Sequence, residues 1–194
     1  MEMEVFEAIK NRRSIPKLKD TPVERDKIER MLEAATWAPN HHHTEPWKFF
    51  VLSGEGRNPL SRVLKEVAHG RVEDPESEAG MKRIEKISRK PFAAPTVIVV
   101  ALSPDDNPKA IYTEDVCAVA AATQNMLLAA HEMGLGAIWR SGPIYNTPKV
   151  KEYFELDERE EILGLVFLGE PDVVKDNAKR TPFEEKTAWI ENDE

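Results

Sequence analysis

The chain has 194 residues, 41% hydrophobic content and a formal net charge of −8 from 27 basic and 35 acidic residues. That length can bury roughly 70% of its unfolded surface in one substantial core, and the acidic balance argues against nonspecific nucleic-acid binding. The longest apolar run, Pro95 to Leu102, is too short to span a bilayer, Met1 to Lys10 lacks the layout of a secretory signal, and the single cysteine, Cys117, excludes an internal disulfide framework, so the expected compartment is a reducing cytoplasm.

Val5, Phe6 and Ile9 share one face and predict a first helix from about Met3 to Asn11. Lys10, Arg12, Arg13, Lys17 and Lys19 then form a basic stretch, either a solvated face or an anion site for one small phosphate. Thr21, Pro22 and Glu24 read as a capping box that opens a second helix at Thr21. Its apolar stripe is Ile28, Met31, Leu32 and Ala35, and it must stop before Pro39. Asn40 to Pro46 is a polar loop, Trp47 to Leu52 a buried strand, and Ser53 to Gly56 a turn. Arg57 to Ala68 and Pro75 to Lys90 predict two more helices. The β-branched segment Thr96 to Leu102 predicts a central strand, followed by a proline-containing loop from Ser103 to Lys109.

Thr113 to Met133 carries the clearest helical pattern. Thr113 can cap it, Glu114 and Asp115 complement the positive end of its dipole, and Gly134 suits a left-handed stop. Its many alanines, among them Ala118, Ala122 and Ala130, fit a core helix or a close helix–helix interface equally well. Ala137 to Arg140 is a short strand, Thr147-Pro148 opens a helix ending near Phe154, and Glu161 to Gly169 is a buried strand. From Pro171 to Glu194 only Phe183, Trp189 and Ile190 are large apolar anchors, so this tail either frays or wraps another surface. Helices first, then strands mixed with helices, give an α+β domain and not a doubly wound fold.

No dinucleotide fingerprint, phosphate loop or nucleophile elbow is present, and Cys117 reads as a small core residue within its helix. His41, His42 and His43 stand in a row, but adjacent side chains in an extended loop diverge, so only His41 and His43 would share a side. A metal site built on this loop is the rival reading; hydrogen bonding to a polar ligand is the preferred one. Arg12-Arg13-Ser14 offers two guanidinium groups and a hydroxyl for a phosphate. Trp139-Arg140-Ser141-Gly142 sets a cation, a hydroxyl and a glycine at a strand terminus, a usual place for ligand contacts. Lys179-Arg180 adds a third basic point.

The order Arg12-Arg13-Ser14-Ile15, Ala38-Pro39 through Pro46-Trp47, Gly134-Leu135-Gly136-Ala137-Ile138-Trp139 and Gly164 to Gly169-Glu170-Pro171 resembles the nitroreductase-like flavoproteins, particularly their short subgroup. The resemblance covers nearly the whole chain. It implies an α+β fold with a mostly antiparallel sheet, and an intertwined homodimer whose C-terminal tail, about 171–194, wraps the partner. It also implies FMN at the dimer interface, with NADH or NADPH as reductant and a nitroaromatic, quinone or enone as acceptor.

By the same resemblance, Arg12, Arg13 and Ser14 hold the FMN phosphate and ribityl end, and Lys179 and Arg180 complete the phosphate site. Trp139, Arg140, Ser141 and Gly142 run along the ring, and His41 and His43 reach it from the other subunit. No side chain is assigned as an essential proton donor. The sequence departs from the family where His43 and Glu45 replace the more usual asparagine and glutamine. A flavin carries its own redox chemistry, which explains the lack of triads and ligand clusters. Two rivals keep the fold and change the role: a reductive dehalogenase, or a noncatalytic flavin-binding protein.

Overall fold

The structure is a computed structural model that describes residues 3–173 and 178–191. Its centre is a four-stranded sheet in the order β1 (Trp47–Ser53), β2 (Thr96–Leu102), β4 (Glu161–Gly169), β3 (Gly136–Arg140). All three pairings are antiparallel, as the resemblance implied. Every residue of β2 is buried, because alternate side chains enter two different cores. Val97, Val99 and Ala101 join Leu165 and Phe167 on one face; Ile98, Val100 and Leu102 join Val166 and Leu168 on the other. An antiparallel sheet with both faces covered reads as a continuous apolar run, which is what the sequence of β2 and β4 contains.

The first face is covered by α3 (Asn58–His69) and α6 (Pro148–Tyr153), with α4 (Glu78–Ser88) packed on α3. The second is covered by α2 (Arg25–Thr36) and α5 (Tyr112–Glu132). Helix α1 (Val5–Asn11) lies on α5 but buries only Ala8; Val5, Phe6 and Ile9 face outward, with Phe6 77% exposed. Among the described residues no helix is long and apolar enough to cross a membrane.

Several sequence expectations need correction. Strand β1 is an edge strand that buries only Leu52, because its outer side has no neighbour in the sheet. Helix α2 starts at Arg25, one turn later than the capping box at Thr21 implied. The preceding segment is held extended by backbone bonds to the end of the sheet: Lys19 N–H donates to the Glu170 carbonyl at 2.9 Å, and Asp172 N–H to the Lys17 carbonyl at 3.1 Å. The chain stays extended through Val23, which packs against the second core. Thr113 does not cap α5 either; it sits inside the first turn, and the Glu114 and Asp115 N–H groups donate to the Ile111 carbonyl.

Gly134 takes the left-handed conformation expected of it, with φ +75°. Cys117 is exposed and not part of the core. The described part of the tail, 178–191, leaves Phe183, Trp189 and Ile190 exposed at 65%, 76% and 91%. The remainder of that predicted wrapping segment, 174–177 and 192–194, lies outside the described residues.

Candidate functional site

With the Trp139–Gly142 segment running between them, the arginines and the histidine loop singled out from the sequence lie at opposite ends of α5. At its C-terminal end the chain leaves α1 and turns through Arg12 and Arg13. The Arg13 Nη1 caps the end of α1, donating to the Lys10 carbonyl at 2.5 Å and the Arg12 carbonyl at 3.0 Å. The following arm is strapped along β3. Ser14 bridges Ala137 in parallel fashion, Ile15 N–H donates to the Ala137 carbonyl at 3.0 Å, and Leu18 bridges Pro171. Gly136 permits this approach: a Cβ there would meet the Leu18 side chain at 2.7 Å.

Between this arm and α5 lies a cavity of about 340 Å³. Its walls include Arg12, Arg13, Leu127, His131, Gly134 and Gly136. Two buried nitrogens at this cavity, Arg13 Nε and His131 Nε2, have no hydrogen-bond partner among the described residues. Such orphaned polar atoms are costly unless something else satisfies them. Burial, then the positive charges of Arg13 and Arg180, hold the Arg12 guanidinium below its ordinary pKa. Arg180 from the exposed tail therefore comes within electrostatic reach of Arg12. Lys179 lies beside it, its carbonyl accepting from Arg180 Nη1 at 3.1 Å. Burial, Arg12 and Arg13 likewise push His131 down. Glu132 also lines the cavity, paired with Arg30 at 3.5 Å, and the guanidinium groups of Arg12, Arg13 and Arg180 repel one another, which an anion would relieve.

Trp139, Arg140, Ser141 and Gly142 continue from the same strand. With Ser14 level with Ala137, Arg140 stands about 10 Å further along β3 at the usual rise per residue. The Trp139 indole lies over Gly164 on the neighbouring strand, where a Cβ would meet its Nε1 at 2.3 Å. Arg140 places its guanidinium 5.3 Å from the centroid of the Phe167 ring. Gly142 and Tyr145 close a turn by a 3.1 Å backbone bond, leaving Ser141 exposed and Gly142 half-buried. Arg12, Arg13, Ser14 and Arg180 thus gather by the C-terminal end of α5, whereas Trp139 and Ser141 line a cavity with Val116 and Ala120 of its N-terminal half.

His41 and His43 do not join the arginine cluster. The turn His41–His43 sits at the N-terminal end of α5, about 25 Å of helix axis from His131. It is anchored there by side chains. His41 Nδ1 pairs with Glu114, and the buried Thr44 hydroxyl donates to Asp115 Oδ1 at 2.8 Å. His41 and His42 stack with ring centroids 3.9 Å apart. His42, His43 and Glu45 take left-handed φ values of +55°, +56° and +41°, and Glu45 N–H donates to Asn40 Oδ1 at 3.1 Å. This is a tightly folded loop, not the extended one whose alternation would place His41 and His43 on one side. Among the described residues no group of three or more His, Cys, Asp or Glu gathers to hold a metal ion.

Sequence reasoning missed His131, Leu135 and Gly136 as cavity walls, and Thr44 and Asp115 as the anchor of the histidine loop. A histidine in the last turn of α5, one helical repeat from the Gly134–Gly136 pair, was the available signal for the first group. Trp37 is 81% exposed, whereas Trp47 packs against the second core.

A family model described as the Nitroreductase family matches residues 9–170. A protein of Escherichia coli K12 named "Putative NAD(P)H nitroreductase YdjA" is 33% identical over 180 residues, covering 93% of this chain and 95% of its own. A solved nitroreductase-like family protein from Bacillus cereus is 34% identical with a TM-score of 0.80, covering 99% of this chain and 98% of its own. A Desulfovibrio desulfuricans nitroreductase homologue solved in complex with FMN is 29% identical with a TM-score of 0.72, covering 98% of both chains. The family match runs from within α1 to the residue after β4, through both the arginine arm and the histidine loop, and the chain belongs to the Nitroreductase family of oxidoreductases.

Proposed function

We propose that the protein is an FMN-dependent NAD(P)H oxidoreductase that works as a homodimer in a reducing cytoplasm. The observation that carries the cofactor is the pair Arg12 and Arg13, with Arg180 in electrostatic reach, at a cavity where two buried nitrogens have no partner among the described residues. A phosphate satisfies what this cluster lacks: it is anionic, and its oxygens accept paired N–H bonds. The relative solved in complex with FMN makes the same cofactor the natural occupant here. In this reading Arg12, Arg13, Ser14, Lys179 and Arg180 bind the phosphate and ribityl end. The roughly 10 Å from Ser14 to Arg140 along β3 suits the extended ribityl chain, and Trp139 to Gly142 flank the ring.

The distance along α5 supports the dimer. His41 and His43 cannot reach their own chain's arginine cluster, but a second copy packed on α1 and α5 could bring its loop there. The outward faces of Val5, Phe6 and Ile9, and the exposed Trp189 and Ile190, are the apolar surface such a copy would cover. When bound, FMN supplies the redox chemistry, accepting hydride from NADH or NADPH and passing two electrons to a second substrate, in ping-pong order. The chain's own task is to fix the phosphate, align the ring along β3 and exclude water. The second substrate is a small electron acceptor such as a nitroaromatic, a quinone or an enone.

The test is a visible spectrum of the purified protein, recorded without oxygen before and after NADH or NADPH. A yellow protein that bleaches is the expected result. A protein that stays colourless after incubation with FMN overturns the reading.

A further inference from the structure

On the other side of Gly142 lies a second cavity, of about 250 Å³, between α3, α4 and the Gly142–Ile144 turn. Its charged lining is wholly basic: Arg71, Arg83 and Lys90. No carboxylate lines it, although acidic residues outnumber basic ones by 35 to 27 in the chain. Nearby, Lys82 pairs with Glu78 on the same helix, and Lys149 of α6 with Glu66 of α3. Arg71, Arg83 and Lys90 make no ion pair with any described residue. Lys90 is half-buried, its ammonium 5.5 Å from the centroid of the Tyr145 ring, and burial together with Arg140 and Lys86 pushes its pKa down. Ala68, Val72, Ile87 and Ile144 supply an apolar wall.

A pocket with one sign of charge and an apolar wall is built for an amphiphilic anion. At 250 Å³ it is too small for a whole cofactor and suited to one end of a molecule. We propose that it holds the carboxylate end of an aromatic acceptor, with Arg71 and Arg83 as the specificity-determining residues. Gly142 is shared between this pocket and the segment assigned to the flavin ring, so the acceptor's other end projects toward that ring. This last step rests on the flavin reading; the anion pocket itself does not. The same oxyanion chemistry is available from a second source, the 2′-phosphate of NADPH, and the test separates the two.

In the first arm, benzoate and benzyl alcohol are titrated into the purified protein by calorimetry. Benzoate should bind at least ~10-fold more tightly, and the Arg71→Gln/Arg83→Gln double variant should lose that preference. Equal binding of the two compounds to the unsubstituted protein overturns the anion pocket, whether or not flavin is present. In the second arm, kcat/KM is compared for 4-nitrobenzoate and 4-nitrobenzyl alcohol with NADH. The ratio should exceed ~10 and fall to near unity in the double variant. An unchanged ratio, or a rise in KM for NADPH with none for NADH, overturns the assignment to the acceptor; the second result gives the pocket to the reductant's phosphate. A protein that binds benzoate selectively but never bleaches refutes the flavin reading and leaves the pocket standing.

Discussion

The two ends of α5 carry the same kinds of residue and treat them in opposite ways. At the N-terminal end the polar groups are satisfied within the chain: His41 pairs with Glu114, Thr44 with Asp115, and Glu45 N–H with Asn40. At the C-terminal end Arg12, Arg13 and His131 line a cavity with buried nitrogens that have no partner among the described residues, and Arg180 comes within electrostatic reach of Arg12. Neutralised polarity makes a stable surface; concentrated, unneutralised polarity makes a binding site. The first end is shaped to be presented, the second to receive.

The largest effect should come from preventing the two ends of different copies from meeting. Val5→Glu/Phe6→Glu places two charges on the outward face of α1, where each native side chain is more than 60% exposed in the single chain (68% and 77%). The fold should survive, while sedimentation should show a monomer that has lost its flavin. A yellow dimer would put the interface elsewhere. Next in size, Arg12→Ala removes a charge-assisted phosphate contact and should weaken FMN binding by about 100-fold, roughly 2.7 kcal/mol. Flavin titration reads this directly, and retained affinity would remove Arg12 from the phosphate site.

At the opposite end, Asp115→Ala should act on stability. It strips the buried Thr44 hydroxyl of its acceptor and should cost about 2 kcal/mol, lowering Tm by roughly 4–8 °C. A Tm within a degree of the parent would mean the loop is held by other contacts.

The smallest effect is a pH dependence of the flavin-free protein. His131 has its folded pKa below its unfolded value, so the unfolded chain takes up the proton first as pH falls. Its contribution is therefore present above the unfolded value, about 6.5, and is lost as pH drops from there toward the folded one. His131→Asn should show a shallower decline in Tm between about pH 7.5 and 5.5. A decline parallel to the parent's would assign the effect to other groups.

The sequence was most legible where local pattern and packing agree. The boundaries of β2 and β4 follow from their apolar runs, and the Gly134 stop follows from backbone sterics. Legibility failed where distant bonds override local preference. The box at Thr21 obeys every local rule, yet the strap from Lys17 and Lys19 to the sheet end keeps that segment extended. The edge position of β1 depends on strand order, which β-propensity does not encode. At the site, Arg12 and Arg13 were readable as a phosphate pair, but His131 was not, because only the folded chain brings the last turn of α5 against the arm.

The strap also has a kinetic consequence. Arginines on a mobile loop could swing clear and release a ligand without disturbing the rest of the protein. Here the arm after Arg13 is tied to β3 through Ile15 and to the end of the sheet through Lys17 and Lys19. Its amide protons should exchange with solvent about as slowly as those of the sheet itself. If the proposed site holds a phosphate, the arm therefore stays in place while the ligand leaves, and Arg180, which lies outside the strap, is the contact expected to release first.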